Sequence, residues 1–284
     1  MKKGDPSATA LRVAMRRAAH QLLDHPTVYC DPLALRMAGA GSGQEQPRGG
    51  EGSEQDPFER RLRAFLAARS RYAEDVLHAA VRQGVRQYVV LGAGLDTFAY
   101  RNPYPEERLH VFEVDHPATQ AWKQARLREA GIPIPRTLTF AAVDFEAEPI
   151  GEGLLRSGFD AGPRSLFSWL GVAVYVSNRA VTDTLRFVAS LPAGSGIVFD
   201  YMISPSLLDA AARRGFDGLA HRVASAGEPF RTFFDPPSLR ATLSAMGFGG
   251  IEDLGPEELN ERYFRGRTDG LRVGGLARIL YARV

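Results

Sequence analysis

Short apolar runs and longer segments of helical periodicity alternate along most of the chain. The apolar runs are rich in β-branched and aromatic residues and occur at 87–92, 109–114, 138–143, 165–170 and 195–201. Helical or polar stretches lie between these runs, notably 117–130 and 178–190, and the first of these two begins with a proline suited to a first helical turn. Strands that alternate with helices predict a mainly parallel sheet covered on both faces.

The C-terminal part follows a different pattern. A predicted helix at 236–247 precedes two strand candidates, GGIEDL at 249–254 and ARILYARV at 277–284. These two strands could close the sheet as an antiparallel hairpin. The fold prediction is therefore an α/β chain with a mainly parallel seven-stranded sheet, helices on both faces and an antiparallel C-terminal hairpin.

The segment ahead of the first strand is predicted to be helical with one polar interruption. One helix is expected from Pro6 to Leu23, and apolar residues recur at helical spacing from Phe58 until close to Gly84. The stretch 39–56 between them is almost entirely glycine, serine, glutamine, proline and charged residues, so we expect a mobile loop. Its Gly-x-Gly follows no strand, and we assign no phosphate or cofactor site to it.

Composition and charge exclude several classes of function. The 35 lysines and arginines nearly balance the 33 aspartates and glutamates, and a net charge of +2 gives no strong field for nucleic acid or membrane. The single cysteine, Cys30, cannot form an internal disulfide, and the six histidines show no zinc-ligand spacing, so no metal is expected. Neither a signal-peptide core nor a membrane-spanning run is evident, which predicts the cytoplasm. The oligomeric state stays open.

The first predicted strand runs straight into a glycine-rich turn. Gly92 and Gly94 would let a ligand approach the backbone closely, and in an open α/β sheet the ligand crevice lies beyond the carboxyl ends of the strands. A Gly-x-Gly by itself also fits a tight turn with nothing bound. The interpretation therefore depends on the strand ends that follow.

The second predicted strand leads into Glu113 and Asp115, where acidic side chains would meet the ribose hydroxyls of a bound nucleoside. Both NAD and S-adenosylmethionine carry that ribose, and the turn separates them. A dinucleotide fingerprint has Gly or Ala where this chain has Thr97. Asp96 would repel a pyrophosphate but attract the ammonium group of a methionine moiety. These residues favour S-adenosylmethionine as the cofactor.

The third predicted strand ends at Asp144 and Phe145. The carboxylate could accept a hydrogen bond from the adenine amino group, and the aromatic ring could lie against the base. Asp144 alone would fit a helix cap or a solvated turn. As the third acidic strand end in order, it is consistent with the same bound nucleoside.

With these residues in place, the chain resembles the bacterial S-adenosylmethionine-dependent methyltransferases related to the leucine carboxyl methyltransferases that act on protein phosphatase. LGAGLDT followed by FEVD is its most specific part. The resemblance implies a Rossmann-like class I methyltransferase fold and a methyl acceptor as partner. It covers nearly the whole chain and rests on PSATALRVAMRRAAHQLLDHP, CDPLA, AARSRYAED, VVLGAGLDTFAYR, VFEVDHP, the DF of AAVDF, FSWLGVAVYVS, GEPFRTFF and RYFRGRTDGL.

The resemblance also implies roles for single residues. Arg69 matches the arginine that pairs with the carboxylate at the methionine end of the cofactor, a contact that suits a guanidinium. The other matches are the glycines beneath the cofactor, the acid beside them, the ribose pair and the adenine pair: Gly92 and Gly94, Asp96, Asp115 with Glu113, and Asp144 with Phe145.

One position departs from the eukaryotic members of this family. They carry a glutamate before a VLVY-like segment, whereas this chain has Leu170 in WLGVAVY. Leucine cannot accept a hydrogen bond, so the acidic contact to the cofactor is lost or replaced. The WLGV form looks like a bacterial variant and argues against a phosphatase tail as substrate.

The acceptor class follows from the chemistry of methyl transfer. A carboxylate is ionised at neutral pH and needs no general base, whereas a hydroxyl usually does. Because the histidines form no base-like group in the sequence, we predict carboxyl O-methylation first and hydroxyl O-methylation of a natural product second. Tyr175 is the candidate catalytic residue that could face the acceptor, although a core tyrosine fits its position equally well.

Two further functional classes stay open, and the domain prediction completes the picture. An NAD(P)-dependent dehydrogenase shares the Gly-x-Gly and the strand-end acid, and a catalytically silent nucleoside-binding protein would share the whole motif. We predict one domain over 1–284, with an N-terminal helical segment and loop (1–57), a cofactor-binding core (58–203), a substrate-side insertion (204–235) and a C-terminal helix with strands (236–284). One or two basic residues of the insertion could hold an anionic substrate; the set is Arg213, Arg214, His221, Arg222 and Arg231.

Overall fold

The computed structural model describes residues 7–39 and 56–284, so the predicted loop at 39–56 lies outside the described residues except at its two ends. The strands are β1 (Gln87–Leu91), β2 (His110–Asp115), β3 (Leu138–Ala142), β4 (Ser165–Trp169), β5 (Gly196–Met202), β6 (Gly250–Leu254) and β7 (Ala277–Arg283). The α-helices are α1 (Ala8–Leu23), α2 (Ala34–Ala38), α3 (Pro57–Arg82), α4 (Pro117–Glu129), α5 (Ile150–Arg156), α6 (Asn178–Ala189), α7 (Ala210–Ser225), α8 (Pro236–Ala245) and α9 (Pro256–Tyr263).

All seven strands form one sheet in the order β3-β2-β1-β4-β5-β7-β6. Strands β1 to β5 are parallel, and β7 pairs antiparallel with both β5 and β6. The mainly parallel seven-stranded prediction is therefore confirmed. Because β1 lies between β2 and β4, the strand order reverses there, and this is the point at which open α/β sheets bind ligands.

The antiparallel closure of the sheet is also confirmed, but the two last strands are not joined by a tight turn. Leu254 pairs with Ile279 across the β6–β7 ladder, and α9 lies in the connection between them. Pro256 occupies the first turn of α9, a position where its missing N–H is not needed. The connection therefore adds a helix that the strand pattern did not predict.

Both faces of the sheet are buried, which explains why the strand sequences are almost continuously apolar. In β1, Val89 and Leu91 pack into a core shared with α5, α6 and α8, while Tyr88 and Val90 face α3 on the opposite side. Alternate side chains of one strand thus enter two different cores. The strand ends are left as the place where polar residues can gather.

Two helices differ from the sequence analysis in an informative way. Helix α3 begins one residue before the predicted position, and the Asp56 side chain caps it by accepting a hydrogen bond from the Phe58 N–H. Helix α7 lies in the predicted insertion, to which no helix was assigned. Its glycines, Gly215 and Gly218, lower helix propensity, and packing of Phe216 into the core compensates.

No helix within 7–39 or 56–284 is both long and apolar enough to cross a membrane.

A buried polar cluster fixes the end of α1 against α3. Asp24 pairs with His20 Nδ1 at 2.8 Å and with Arg63 at 2.7 and 2.9 Å, while His20 Nε2 accepts hydrogen bonds from the backbone N–H groups of Val28 and Tyr29. Burial raises the pKa of the Asp24 carboxyl, but the hydrogen bonds from Arg63 and His20 and the charge of Arg63 outweigh it and lower the pKa to about 2. The cluster therefore stabilises the fold as long as Asp24 is ionised.

This cluster predicts a pH-dependent stability loss for Asp24→Asn. A carboxyl whose folded pKa lies near 2, below its ordinary 3.8, stabilises fully above pH 3.8, and the contribution is lost as the pH falls towards 2. We expect the variant to lose about 3 kcal/mol of unfolding free energy at neutral pH, and the loss to shrink by roughly 1 kcal/mol at about pH 3. Urea unfolding of both proteins at the two pH values measures this. An equal loss at both pH values would contradict the assignment.

Candidate active site

A cavity of about 370 Å³ lies at the carboxyl ends of the central strands and beneath one face of α1. Its volume is in the range typical of sites for small molecules. The turn after β1, the ends of β2, β3 and β4, and the segment after α7 contribute to its wall. The roof is the face of α1 that carries Thr9, Ala10, Val13, Ala14 and Arg17.

The glycine-rich turn forms the floor of this cavity. Gly92 and Gly94 have φ angles of +62° and +43°, a region that favours glycine. A Cβ atom on Gly92 would lie 2.3 Å from Val172 Cγ2, and one on Gly94 would lie 3.1 Å from the Ala10 Cβ. A side chain at Gly92 would therefore collide with Val172, one at Gly94 would be strained by its backbone angle and crowd Ala10, and both glycines border the cavity.

Asp115 stands beside this turn at the end of β2. Its carboxylate accepts hydrogen bonds from the Gly94 N–H at 2.6 Å and from the His116 N–H at 2.7 Å. Burial raises the pKa of Asp115, while these two hydrogen bonds lower it. Each carboxylate oxygen has a second lone pair, so Asp115 can still accept hydrogen bonds from two neighbouring hydroxyls.

Asp144 and Phe145 line the same cavity beyond the end of β3. One Asp144 oxygen accepts a hydrogen bond from the Glu146 N–H at 2.9 Å, which fixes the carboxylate in the turn. The Phe145 ring lies 6.1 Å from the Trp169 ring, centroid to centroid, with the two planes 32° apart. An aromatic face and a carboxylate thus meet at one edge of the cavity, as the sequence analysis expected for an adenine site.

Glu113 does not line the cavity, in contrast to the predicted ribose pair. Its carboxylate contacts Lys123 Nζ at 2.7 Å and accepts a hydrogen bond from the Tyr100 hydroxyl at 3.0 Å. Glu113 lies two residues before Asp115, inside β2 rather than at its end, and its side chain contacts Lys123 of α4. Burial there raises the pKa of Glu113 to about 7, although Lys123 opposes the increase. Only Asp115 of the predicted ribose pair faces the cavity.

Arg69 reaches the cavity from the middle of α3. Its Nη1 donates to Asp200 Oδ2 at 2.9 Å, and the other Asp200 oxygen accepts from the Gly171 N–H at 2.5 Å. A Cβ on Gly171 would lie 2.7 Å from the guanidinium nitrogens, so the arginine rests directly on this glycine. Within the described part of the chain the guanidinium donates no other hydrogen bond, which leaves donors for an anionic ligand.

Arg17 is a second cavity arginine, and the sequence analysis missed it. It is hydrogen-bonded to Asp31 and, at 2.8 Å, to Thr97 Oγ1, and its Nη1 lies 3.6 Å from Asp96 Oδ2. Ala10, Ala14 and Arg17 share one face of α1 at helical spacing. Two small residues followed by an arginine on that face were the available signal, because small residues allow a helix to approach a bound molecule closely.

Asp96 and Tyr175 complete the predicted set. One Asp96 oxygen accepts from the Phe98 N–H at 2.8 Å, and the other faces Arg17. Tyr175 lines the cavity from the short 3-10 helix Ala173–Tyr175, and burial raises its pKa to about 12. Apart from Glu113, every predicted site residue therefore borders one cavity. Other cavity residues that the sequence analysis did not assign include Ser70, His116, Glu146, Leu170, Val172 and Glu228.

Comparison with known proteins places these features in a family. The family model described as leucine carboxyl methyltransferase matches residues 10–189. YktD of Bacillus subtilis (strain 168), which is named as an S-adenosyl-L-methionine-dependent methyltransferase, is 32% identical over 291 residues, and the alignment covers 95% of each chain. A protein of Saccharopolyspora erythraea named in the same way is 31% identical over 224 residues, which is 74% of each chain.

Two solved structures share the architecture across the whole chain. A duf574 family protein from Streptomyces avermitilis has a TM-score of 0.55 at 16% identity, with 98% of this chain and 97% of that chain covered. A protein from Thermobifida fusca named as a methyltransferase has a TM-score of 0.55 at 14% identity, with 99% and 96% covered. At such low identity these similarities establish the fold alone, and they agree with the Rossmann-like arrangement of the sheet.

The position of Glu113 generates a prediction that separates stability from cofactor binding. Glu113→Gln should change the unfolding free energy by about 1 kcal/mol or less at pH 7, because a carboxyl whose pKa is raised to about 7 is already partly protonated there. Glu113→Ala should cost more, because it removes the acceptor of the Tyr100 hydroxyl and leaves Lys123 buried without a partner. The affinity for S-adenosylhomocysteine, measured by calorimetry, should stay close to that of the parent in both variants. A folded Glu113→Gln protein with strongly weakened binding would instead assign Glu113 to the ribose.

Proposed function

The chain belongs to the leucine carboxyl methyltransferase family and is an S-adenosylmethionine-dependent methyltransferase, and we propose that the oxygen it methylates belongs to a carboxylate of a small molecule or peptide. Family membership decides against the two other functional classes that the sequence left open, an NAD(P)-dependent dehydrogenase and a catalytically silent nucleoside-binding protein. The residues of the cavity support the choice of a carboxylate as follows.

The observation that carries this proposal is the state of the ionisable groups that line the cavity together with Tyr175. With a pKa near 12, the Tyr175 hydroxyl stays protonated at neutral pH, so it donates hydrogen bonds and does not act as a base. Glu228 accepts from the Thr9 N–H at 2.9 Å, and Glu146 accepts from the Ser177 N–H at 2.7 Å. His116 Nδ1 accepts from the Ala118 N–H at 3.2 Å. A carboxylate acceptor is already ionised at neutral pH, so its methylation requires none of these side chains to act as a general base.

The cavity fits the cofactor in three respects. The Gly92–Gly94 turn borders the cavity with backbone atoms, Asp115 offers paired acceptors for a ribose, and Phe145 with Asp144 offers a face and an acceptor for adenine. We assign the methionine end, which carries both an ammonium and a carboxylate group, to Asp96 and to the free donors of Arg69. Arg17 lies close enough to Asp96 to hold its carboxylate in place.

The chain's own residues then account for alignment and exclusion of water. When bound, S-adenosylmethionine supplies an electrophilic methyl group on its sulfonium. Helix α1 covers the cavity and keeps water from the reacting atoms. Tyr175 would donate a hydrogen bond to one oxygen of the acceptor carboxylate and leave the other oxygen to react, so its role is to orient the acceptor.

The type of product tests the carboxylate assignment. We expect that labelled methyl transferred to acids and peptides from a cell extract is released as volatile methanol by mild base, because methyl esters hydrolyse whereas methyl ethers do not. The matched control is Gly92→Val, whose side chain would collide with Val172 and so distort the wall of the cavity. Label that survives base in the parent reaction would contradict the carboxylate assignment, and a methyl ether among the products would indicate a hydroxyl acceptor.

Arg69 provides a separate test of the cofactor assignment. A charge-assisted pair with the cofactor carboxylate should be worth about 1.5 to 3 kcal/mol, so Arg69→Ala should weaken S-adenosylhomocysteine binding roughly ten- to a hundredfold. Arg69→Lys should recover only part, because lysine lacks the planar fork. Calorimetry on these variants measures the effect.

The control for this test must account for Asp200. Removing Arg69 leaves that buried carboxylate without its cation, so Arg69→Ala is also made with Asp200→Asn, and folding is checked by circular dichroism. Arg71→Ala on the same helix is the matched control, since Arg71 is exposed and pairs with Asp75. If the folded Arg69 variants bind like the parent, the assignment of Arg69 to the cofactor is wrong.

A further inference from the structure

The GEPFRTFF motif, residues 227–234, has no role in the scheme above, yet its main chain is fixed to the turn that carries Tyr175. The N–H groups of Arg231 and Thr232 both donate to the Val174 carbonyl, at 2.8 and 3.2 Å. Thr232 Oγ1 also donates to the Val176 carbonyl at 2.7 Å. These bonds flank Tyr175 on both sides, so the motif and the candidate catalytic residue keep a constant relative position.

Side chains of the motif strengthen this attachment. Phe230 lies 5.4 Å from the Tyr175 ring and 6.1 Å from Phe216 of α7, between ring centroids. Glu228 is buried and accepts the Thr9 N–H in the first turn of α1, so the same motif also contacts the roof of the cavity. A segment with these contacts can place a side chain accurately at the cavity mouth.

The structure separates the basic residues of the predicted insertion. Arg213 is exposed and pairs with Asp217 at 3.1 Å, and Arg222 lies over the Phe58 ring at 5.5 Å and near Glu59 at 3.6 Å. Among the five, only Arg231 borders the cavity as described for residues 7–39 and 56–284. The expectation that one or two of these residues hold an anion therefore narrows to a single candidate.

The Arg231 guanidinium is largely uncommitted. Its side chain is 53% exposed, and its contact with Glu146 Oε1, at 3.4 Å, is long for an ion pair. Glu146 already accepts hydrogen bonds from the N–H and the hydroxyl of Ser177, at 2.7 and 2.9 Å. Arg231 donates no other side-chain hydrogen bond within the described residues, so most of its donors face the cavity mouth or solvent.

We infer that Arg231 determines specificity by selecting acceptors that carry a second anionic group, remote from the carboxylate that is methylated. This inference rests on the proposed function, which places the reacting carboxylate at Tyr175. A planar guanidinium on a fixed main chain is suited to bind a carboxylate in a bidentate manner. Acceptors with one carboxylate would bind at Tyr175 alone, and diacids would engage both residues.

Binding to the protein loaded with S-adenosylhomocysteine tests this directly. The probes are straight-chain monocarboxylic acids and the α,ω-dicarboxylic acids of the same lengths, from succinate to sebacate. Calorimetry measures the affinity of the protein for each acid. At the best length we expect the parent to prefer the diacid by about tenfold, a modest ratio because Arg231 is half-exposed. Arg231→Gln should remove the preference, Arg231→Lys should keep part of it, and Arg213→Gln, from the same insertion, should match the parent.

Two results would overturn the inference: no diacid preference in the parent at any length, or a preference that Arg231→Gln leaves intact. Methyl transfer by the parent to these acids is measured separately with labelled cofactor. A diacid preference that depends on Arg231 without any base-labile methyl product would support the anion site and reject the carboxylate acceptor. A base-labile methyl product without a diacid preference would support the carboxylate acceptor and reject the anion site at Arg231.

Discussion

The ion pair between Arg69 and Asp200 is the interaction on which the arrangement of the site depends. It joins the middle of α3 to β5, and through the Gly171 N–H it also fixes the turn that follows β4. A buried carboxylate is stable only where charges and N–H groups surround it, so these three elements must meet at one point. The guanidinium then rests on Gly171, where any side chain would displace it.

Close backbone packing extends from this point to the rest of the cavity. The turn held by Asp200 continues into Val172, which fills the space above Gly92, and then into the short helix that carries Tyr175. On the other side, Ala10 of α1 lies against Gly94. Floor, wall and roof therefore meet through glycine, alanine and valine, and the position of each depends on its neighbours being small.

The sequence could predict those parts of the site that lie at strand ends. Asp115, Asp144 and the Gly92–Gly94 turn meet because parallel strands bring their carboxyl ends to one edge, and this requires only the order of strands. Glu113 lies inside β2 and contacts Lys123 rather than the cavity, a partner that the strand pattern does not predict. Asp200 is 131 residues from Arg69 in sequence, and no local sequence pattern predicts an ion pair between residues so far apart.

The fate of the acid missing at Leu170 shows how such a distant pair shapes chemistry. Leu170 borders the cavity as an apolar residue. The nearby acid is instead Asp200 of β5, whose carboxylate accepts a hydrogen bond from the N–H of the next residue, Gly171. A glutamate at 170 would place its charge among the residues that line the cavity, whereas Asp200 lies outside that lining and acts through Arg69. Moving the charge behind the guanidinium would reduce repulsion of the ionised acceptor that we propose at Tyr175. The leucine that departs from the eukaryotic pattern is therefore consistent with an anionic acceptor rather than with a lost contact.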